Sequence, residues 1–99
     1  MSTTPKNIGV LGSMSNLSVT TGSVVDAPAF DSQTNLVFVD IQDNDVYVTF
    51  DGSTPSASAG HILKAGRDYL FYAGMFKTAK LLGKDGTSVV AITQLNGYA

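Results

Sequence analysis

The clearest pattern along the chain is two runs of alternating, largely β-branched residues around a polar break. Leu36-Val37-Phe38-Val39-Asp40-Ile41 is followed by Gln42-Asp43-Asn44-Asp45 and then Val46-Tyr47-Val48-Thr49-Phe50. Val, Ile, Phe and Tyr suit a pleated, half-buried surface, and Asp and Asn tolerate the left-handed backbone of a tight turn. The pattern predicts two strands joined as a hairpin. In the second strand Val46, Val48 and Phe50 share one face, and Tyr47 and Thr49 share the other. The first strand is apolar on both faces, so it belongs inside a sandwich or against another subunit.

The same reading extends outward. Leu17-Ser18-Val19-Thr20 alternates as a strand should, and Val24-Val25 continue it past a bend at Gly22. Asp26 to Thr34 reads as a loop with Phe30 tucked inward. Asp51 to Gly60 is a loop of small residues. His61-Ile62-Leu63 is a short strand, Ala65-Gly66 a turn, and Arg67 to Tyr72 an aromatic strand. A single helical turn falls near Gly74–Phe76. Ala79 to Lys84 and Thr87 to Leu95 then form a second predicted hairpin across Asp85-Gly86, a strong hairpin dipeptide. Residues 1–16, rich in Ser, Thr, Asn and Gly, read as a flexible N-terminal arm with a short extended piece at Ile8–Leu11.

The result is an all-β domain over residues 17–99. About seven or eight strands with regularly spaced turns predict a small antiparallel β-sandwich or a jelly-roll-like barrel.

Composition sharpens this picture. Charged residues are 14% of the chain, against about 25% in an average domain. All 8 acids are Asp, a residue of turns and caps, which argues against a helical protein. The 6 basic residues are scattered, with a loose group at Lys77, Lys80 and Lys84, too few for a phosphate-binding stripe. Nucleic acid is therefore not an expected partner. No apolar run is long enough to span a membrane as a helix. With no cysteine there is no disulfide framework, in keeping with synthesis in a reducing cytoplasm.

Catalysis needs a base, a nucleophile or a metal held in place. His61 is the single histidine, and Asp51, Ser56 and Ser58 lie near it in sequence, but Ser and Asp are common here and no Gly-x-Ser-x-Gly elbow is present. Asp40, Asp43, Asp45 and Asp51 lack the glycine and terminal Glu of a calcium loop. Gly52-Ser53-Thr54 and Gly83-Lys84-Asp85-Gly86 lack the frame of a phosphate loop. No catalytic residue, cofactor or metal ligand is expected, and the chain is read as a non-enzyme.

The aromatic residues are more informative. Tyr69 and Phe71 point to one face of their strand, Leu70 and Tyr72 to the other. Both faces cannot be internal in so small a protein without crowding, so one is expected to meet a neighbour.

The stretch from Asp45 to Gly66 resembles small virion structural proteins of tailed bacteriophages. The shared pattern is Val46-Tyr47-Val48, the loop Gly52-Ser53-Thr54-Pro55-Ser56, the step Gly60-His61-Ile62-Leu63 and the turn Ala65-Gly66. It extends over residues 35–95 and takes in Ala79-Lys80-Leu81-Leu82. The resemblance implies a β-sandwich made in the host bacterial cytoplasm and located in the virion, as a capsid decoration or cement protein. Its partners would be the major capsid protein or other virion proteins, and copies of itself, with a trimer at a local threefold favoured. A head–tail or tail component and a carbohydrate-binding module are the alternatives. Candidate subunit contacts are Tyr47, Ser53, Thr54, Pro55, Ser56, Tyr69 and Tyr72, with the arm Ser2–Met14 as a second candidate.

Overall fold

The computed structural model describes residues 9–96, with side chains from Met14 onward. Eight strands and one short helix follow in order: β1 (Gly9–Val19), β2 (Val25–Asp26), β3 (Leu36–Gln42), β4 (Val46–Thr49), β5 (His61–Leu63), β6 (Asp68–Tyr72), α1 (Ala73–Phe76), β7 (Lys80–Gly83) and β8 (Ser88–Asn96). They form two four-stranded antiparallel sheets, in the orders β1-β8-β3-β6 and β2-β7-β4-β5. This is the eight-stranded double-sheet arrangement of a jelly roll, the second form of the expected fold class.

Alternation along the strands builds the core. Val37, Val39 and Ile41 of β3, with Val90 and Ile92 of the neighbouring β8, face Val46 and Val48 of β4 and Leu81 of β7 across the sandwich, all at 4% exposure or less. Phe76, fully buried, seals one end. Its ring lies 5.2 Å from Phe71, 6.2 Å from Phe50 and 6.5 Å from Phe30. Phe30 is tucked inward as its loop predicts. Buried polar groups are satisfied: the Gln94 side-chain oxygen accepts the Asp31 amide N–H at 2.7 Å and the Thr34 hydroxyl at 2.9 Å. Among the described residues no buried side-chain nitrogen or oxygen lacks a partner.

Three expectations are corrected. Neither predicted hairpin exists. β3 and β4 lie in different sheets, and so do β7 and β8. The turns at Gln42–Asp45 and at Asp85–Gly86 are corners that carry the chain from one sheet to the other. The turn chemistry itself holds, since Asp43 takes φ 72°. Alternation tells which residues face inward, but a hairpin and a corner both keep apolar residues inside. Pairing depends on long-range partners that local pattern does not encode.

The third correction concerns the arm. β1 begins at Gly9 and pairs with β8 in antiparallel register through Asn16↔Ala91 to Val19↔Ser88, with an irregularity between Val10 and Met14. Residues 9–16 therefore belong to the domain. Their Gly, Ser and Asn have low strand propensity, and pairing with the long β8 overrides it. Residues 1–8 of the predicted arm, and the side chains of residues 9–13, lie outside what the structure describes.

Candidate functional site

The two sheets have outer faces of different character. On the sheet β1-β8-β3-β6 the register places outward-facing residues in rows across the strands. One row runs Tyr72–Leu36–Leu95 and the next runs Leu70–Phe38–Thr93–Met14. Several of these side chains are open to solvent: Tyr72 is 74% exposed, Met14 60%, Leu70 58% and Phe38 39%. A third row, Asp68–Asp40–Ala91–Asn16, borders the apolar rows with polar groups. An apolar patch rimmed by polar residues is the usual mark of a contact surface. The rows begin at β6, which among the described residues has no strand on its outer edge.

The opposite sheet carries a smaller row, Leu82–Tyr47–Ile62, with Tyr47 half-buried between its neighbours. Tyr47 and Tyr72 thus lie on opposite sides of the molecule.

The sequence candidates divide clearly. Among the described residues Tyr72 is the most exposed of the large apolar and aromatic side chains. Tyr69 points inward beside Phe71, ring centroids 5.9 Å apart, and its hydroxyl accepts the Lys64 amide N–H at 2.9 Å. It supports the turn before β6 and is not a free contact. Pro55 is fully buried and offers no surface to a neighbour. Ser53 and Thr54 are exposed and Ser56 is half-buried.

The loop between β4 and β5 is an ordered clip. The Ser53 amide and hydroxyl both donate to one Asp51 carboxylate oxygen, at 3.0 and 2.6 Å. These bonds favour the charged form and hold the Asp51 pKa below its ordinary 3.8. The Thr49 hydroxyl donates to the Ser53 carbonyl. Ser56 and Ala59 exchange backbone bonds at 2.9 and 3.2 Å, closing the loop tip. At Gly60, with φ 111°, a Cβ would come 2.4 Å from the Val48 carbonyl oxygen. Only glycine lets the clip return this close to β4.

Thr49, Phe50, Asp51, Ser53, Gly60 and His61 line an open hollow of about 370 Å³. This brings Asp51 and His61 to one place. The Asp51 oxygen is engaged by Ser53, His61 lies against the Phe50 ring at 6.1 Å, and Ser56 and Ser58 bond each other at 3.3 Å. Among the described residues no hydrogen bond links His61 to Asp51, Ser56 or Ser58, so the base–nucleophile geometry of a triad is not formed.

The acidic residues are likewise dispersed into structural work. The Asp45 carboxylate accepts the Ala65 amide N–H at 2.8 Å and lies 3.5 Å from the Lys64 ammonium. Its carbonyl accepts the Lys84 amide N–H at 3.0 Å, while the Asn44 side-chain amide donates to the Thr87 carbonyl at 2.9 Å. Three turns are pinned together at this end of the sandwich. The Ala65 bond is the main cause holding the Asp45 pKa below 3.8, with Lys64 adding to it. Among the described residues no three His, Cys, Asp or Glu side chains group as metal ligands. The loose lysine group is also partly spent: Lys80 pairs with Asp26 at 2.7 Å and Lys84 with Asp85 at 3.2 Å.

No family model matches the chain, and no curated protein matches it. Among solved structures it is similar to a chain described under "Bacillus endospore appendages form a novel family of disulfide-linked pili", at 15% identity and a TM-score of 0.49 over 94% of this chain and 90% of that one. A likeness at this level carries nothing about function.

Proposed function

We propose that this chain is a non-enzymatic structural subunit of an assembled particle, and that it works by burying the outer face of the sheet β1-β8-β3-β6 against neighbours. The carrying observation is the pair of largely apolar rows, Tyr72–Leu36–Leu95 and Leu70–Phe38–Thr93–Met14, which start at the open edge of β6. A monomer gains nothing from exposing these side chains. A subunit does, at roughly 25 cal/mol per Å² covered before the costs of association.

The particle is the virion of a tailed bacteriophage, with the chain on the capsid as a decoration or cement protein and the major capsid protein among its partners. The resemblance carried by residues 45–66 supports this part of the reading. Copies of the chain also associate with one another. Two experiments test the reading. Light scattering on the purified protein is expected to show self-association that rises with concentration, and a strict monomer throughout contradicts it. Immunogold labelling of tailed particles from the source culture is expected to decorate heads; unlabelled particles contradict the virion assignment, and label confined to tails moves the chain to a tail component.

A further inference from the structure

We infer that two copies of this chain join edge to edge through β6, antiparallel about a twofold axis at Leu70, so that two sheets become one continuous eight-stranded sheet. The inference deepens the assembly reading above and rests on its self-association.

Ala73 N–H donates to the Asn35 carbonyl at 2.9 Å, and Ile41 N–H to the Arg67 carbonyl at 3.0 Å. With the register Leu36↔Tyr72 to Asp40↔Asp68, these bonds set the phase of the β3–β6 ladder. Backbone groups alternate sides along an antiparallel strand. Tyr69 and Phe71 therefore direct their N–H and C=O toward β3. Asp68, Leu70 and Tyr72 direct theirs away from it, to the open edge.

These three outward residues are symmetric about Leu70. Pairing them with a second copy sets Leu70 opposite the partner's Leu70 and Asp68 opposite the partner's Tyr72. Every outward N–H and C=O of the strand then finds a partner. An axis at Asp68 or at Tyr72 would leave part of the five-residue strand unmatched. On the same face this register continues one apolar row and sets the partner's Asp68 beside Tyr72. The Leu70–Phe38 row runs through the axis into its own copy. Asp68 stands directly opposite Asp40 in the register. The partner's Tyr72 brings a phenolic donor to that row.

Other edges fit less well. β2 has two residues and β5 three. β1 is irregular between Val10 and Met14 and presents polar Asn16 and Ser18 on this face. A matching β6 is the occupant that completes the open backbone and continues the Leu70–Phe38 row; the outer face of the joined sheet stays open to the other neighbours. A stable interface usually hides about 800 Å² per partner. A seam one short strand long falls below that, so the dimer dissociates on dilution and persists where other contacts hold the copies close. A twofold also differs from the threefold trimer that the resemblance implies.

Because the chain has no cysteine, the register can be read by crosslinking in the full-length protein. Residues paired across an antiparallel ladder lie about 5.5 Å apart at Cα, within disulfide range. Under mild oxidation Leu70→Cys is expected to convert mostly to a disulfide dimer. Asp68→Cys and Tyr72→Cys are each expected to stay largely unlinked alone but to link when mixed. Circular dichroism confirms that each variant is folded, and all three positions are exposed. If the unmodified protein self-associates while folded Leu70→Cys does not link, the β6 twofold is wrong and the assembly reading stands. If the unmodified protein is monomeric at every concentration, both fall together.

Discussion

The Asp45 carboxylate accepts the Ala65 amide N–H at 2.8 Å, joining the corner between β3 and β4 to the turn between β5 and β6. Asp45 and Asp51 both hold their protons less tightly than an ordinary aspartate because amide and hydroxyl groups bond to their charged forms. The folded state therefore binds fewer protons than the unfolded chain in the acid range. The stability this contributes is present above about pH 4 and is lost as pH falls through the folded-state values. Asp45→Asn is expected to lower the melting temperature at neutral pH and to flatten its fall below pH 4. Thermal melts from pH 2.5 to 7 check this, and an unchanged acid limb would remove Asp45 from the account.

Gly60→Ala forces a side chain into a left-handed backbone and to within 2.4 Å of the Val48 carbonyl. The expected cost is at least ~2 kcal/mol, from the conformation and the displaced clip together. In a domain of this size that corresponds to a drop in melting temperature of roughly 8–16 °C. Gly52, also at positive φ but with nothing within 4 Å of its Cβ, is the contrast: Gly52→Ala meets conformational strain alone and is expected to cost less.

Phe76→Ala removes the ring on which Phe30, Phe50 and Phe71 converge. Deleting a buried aromatic costs about 3–5 kcal/mol, a large part of the ~5–15 kcal/mol that holds a small domain folded. Urea unfolding is expected to show a much lower midpoint with little change in slope.

How much of this was readable in the chain differs by residue. β3 is apolar on both faces, so only the place of the second sheet shows that Val37, Val39 and Ile41 face inward. Alternation groups Val46 with Val48, and it splits Tyr69 and Phe71 from Leu70 and Tyr72. Alternation could not say which of those two faces was outside, because that depends on where the second sheet lies. Tyr69 was therefore as plausible a contact as Tyr72, and only the fold separates them. Pro55 looked like a surface loop residue, since nothing local reveals that the clip folds back over it. The extended piece at Ile8–Leu11 overlaps the start of β1 at Gly9, but residues 12–16 were missed because their Gly, Ser and Asn become strand only through β8. The two corners passed for hairpins because both geometries use the same turn residues and keep the same face inward. The open edge of β6 has no signature in sequence at all; it is a property of strand order.

The surface contribution of the apolar rows is separable from stability. Leu70→Lys and Tyr72→Ser change exposed side chains, so folding is expected to shift by no more than about 0.5 kcal/mol. Met75→Ser, at an exposed apolar residue of α1 outside those rows, is the control expected to leave association unchanged.

The most direct test of the central claim is the solution mass of the folded protein by light scattering at two concentrations, for the unmodified chain and for Leu70→Lys with Tyr72→Ser. The account predicts a mass that rises with concentration in the unmodified protein and stays at the 10.3 kDa monomer in the double variant. A strict monomer in the unmodified protein, or an oligomer that the double variant leaves intact, would contradict the assignment of this sheet face as the assembly surface.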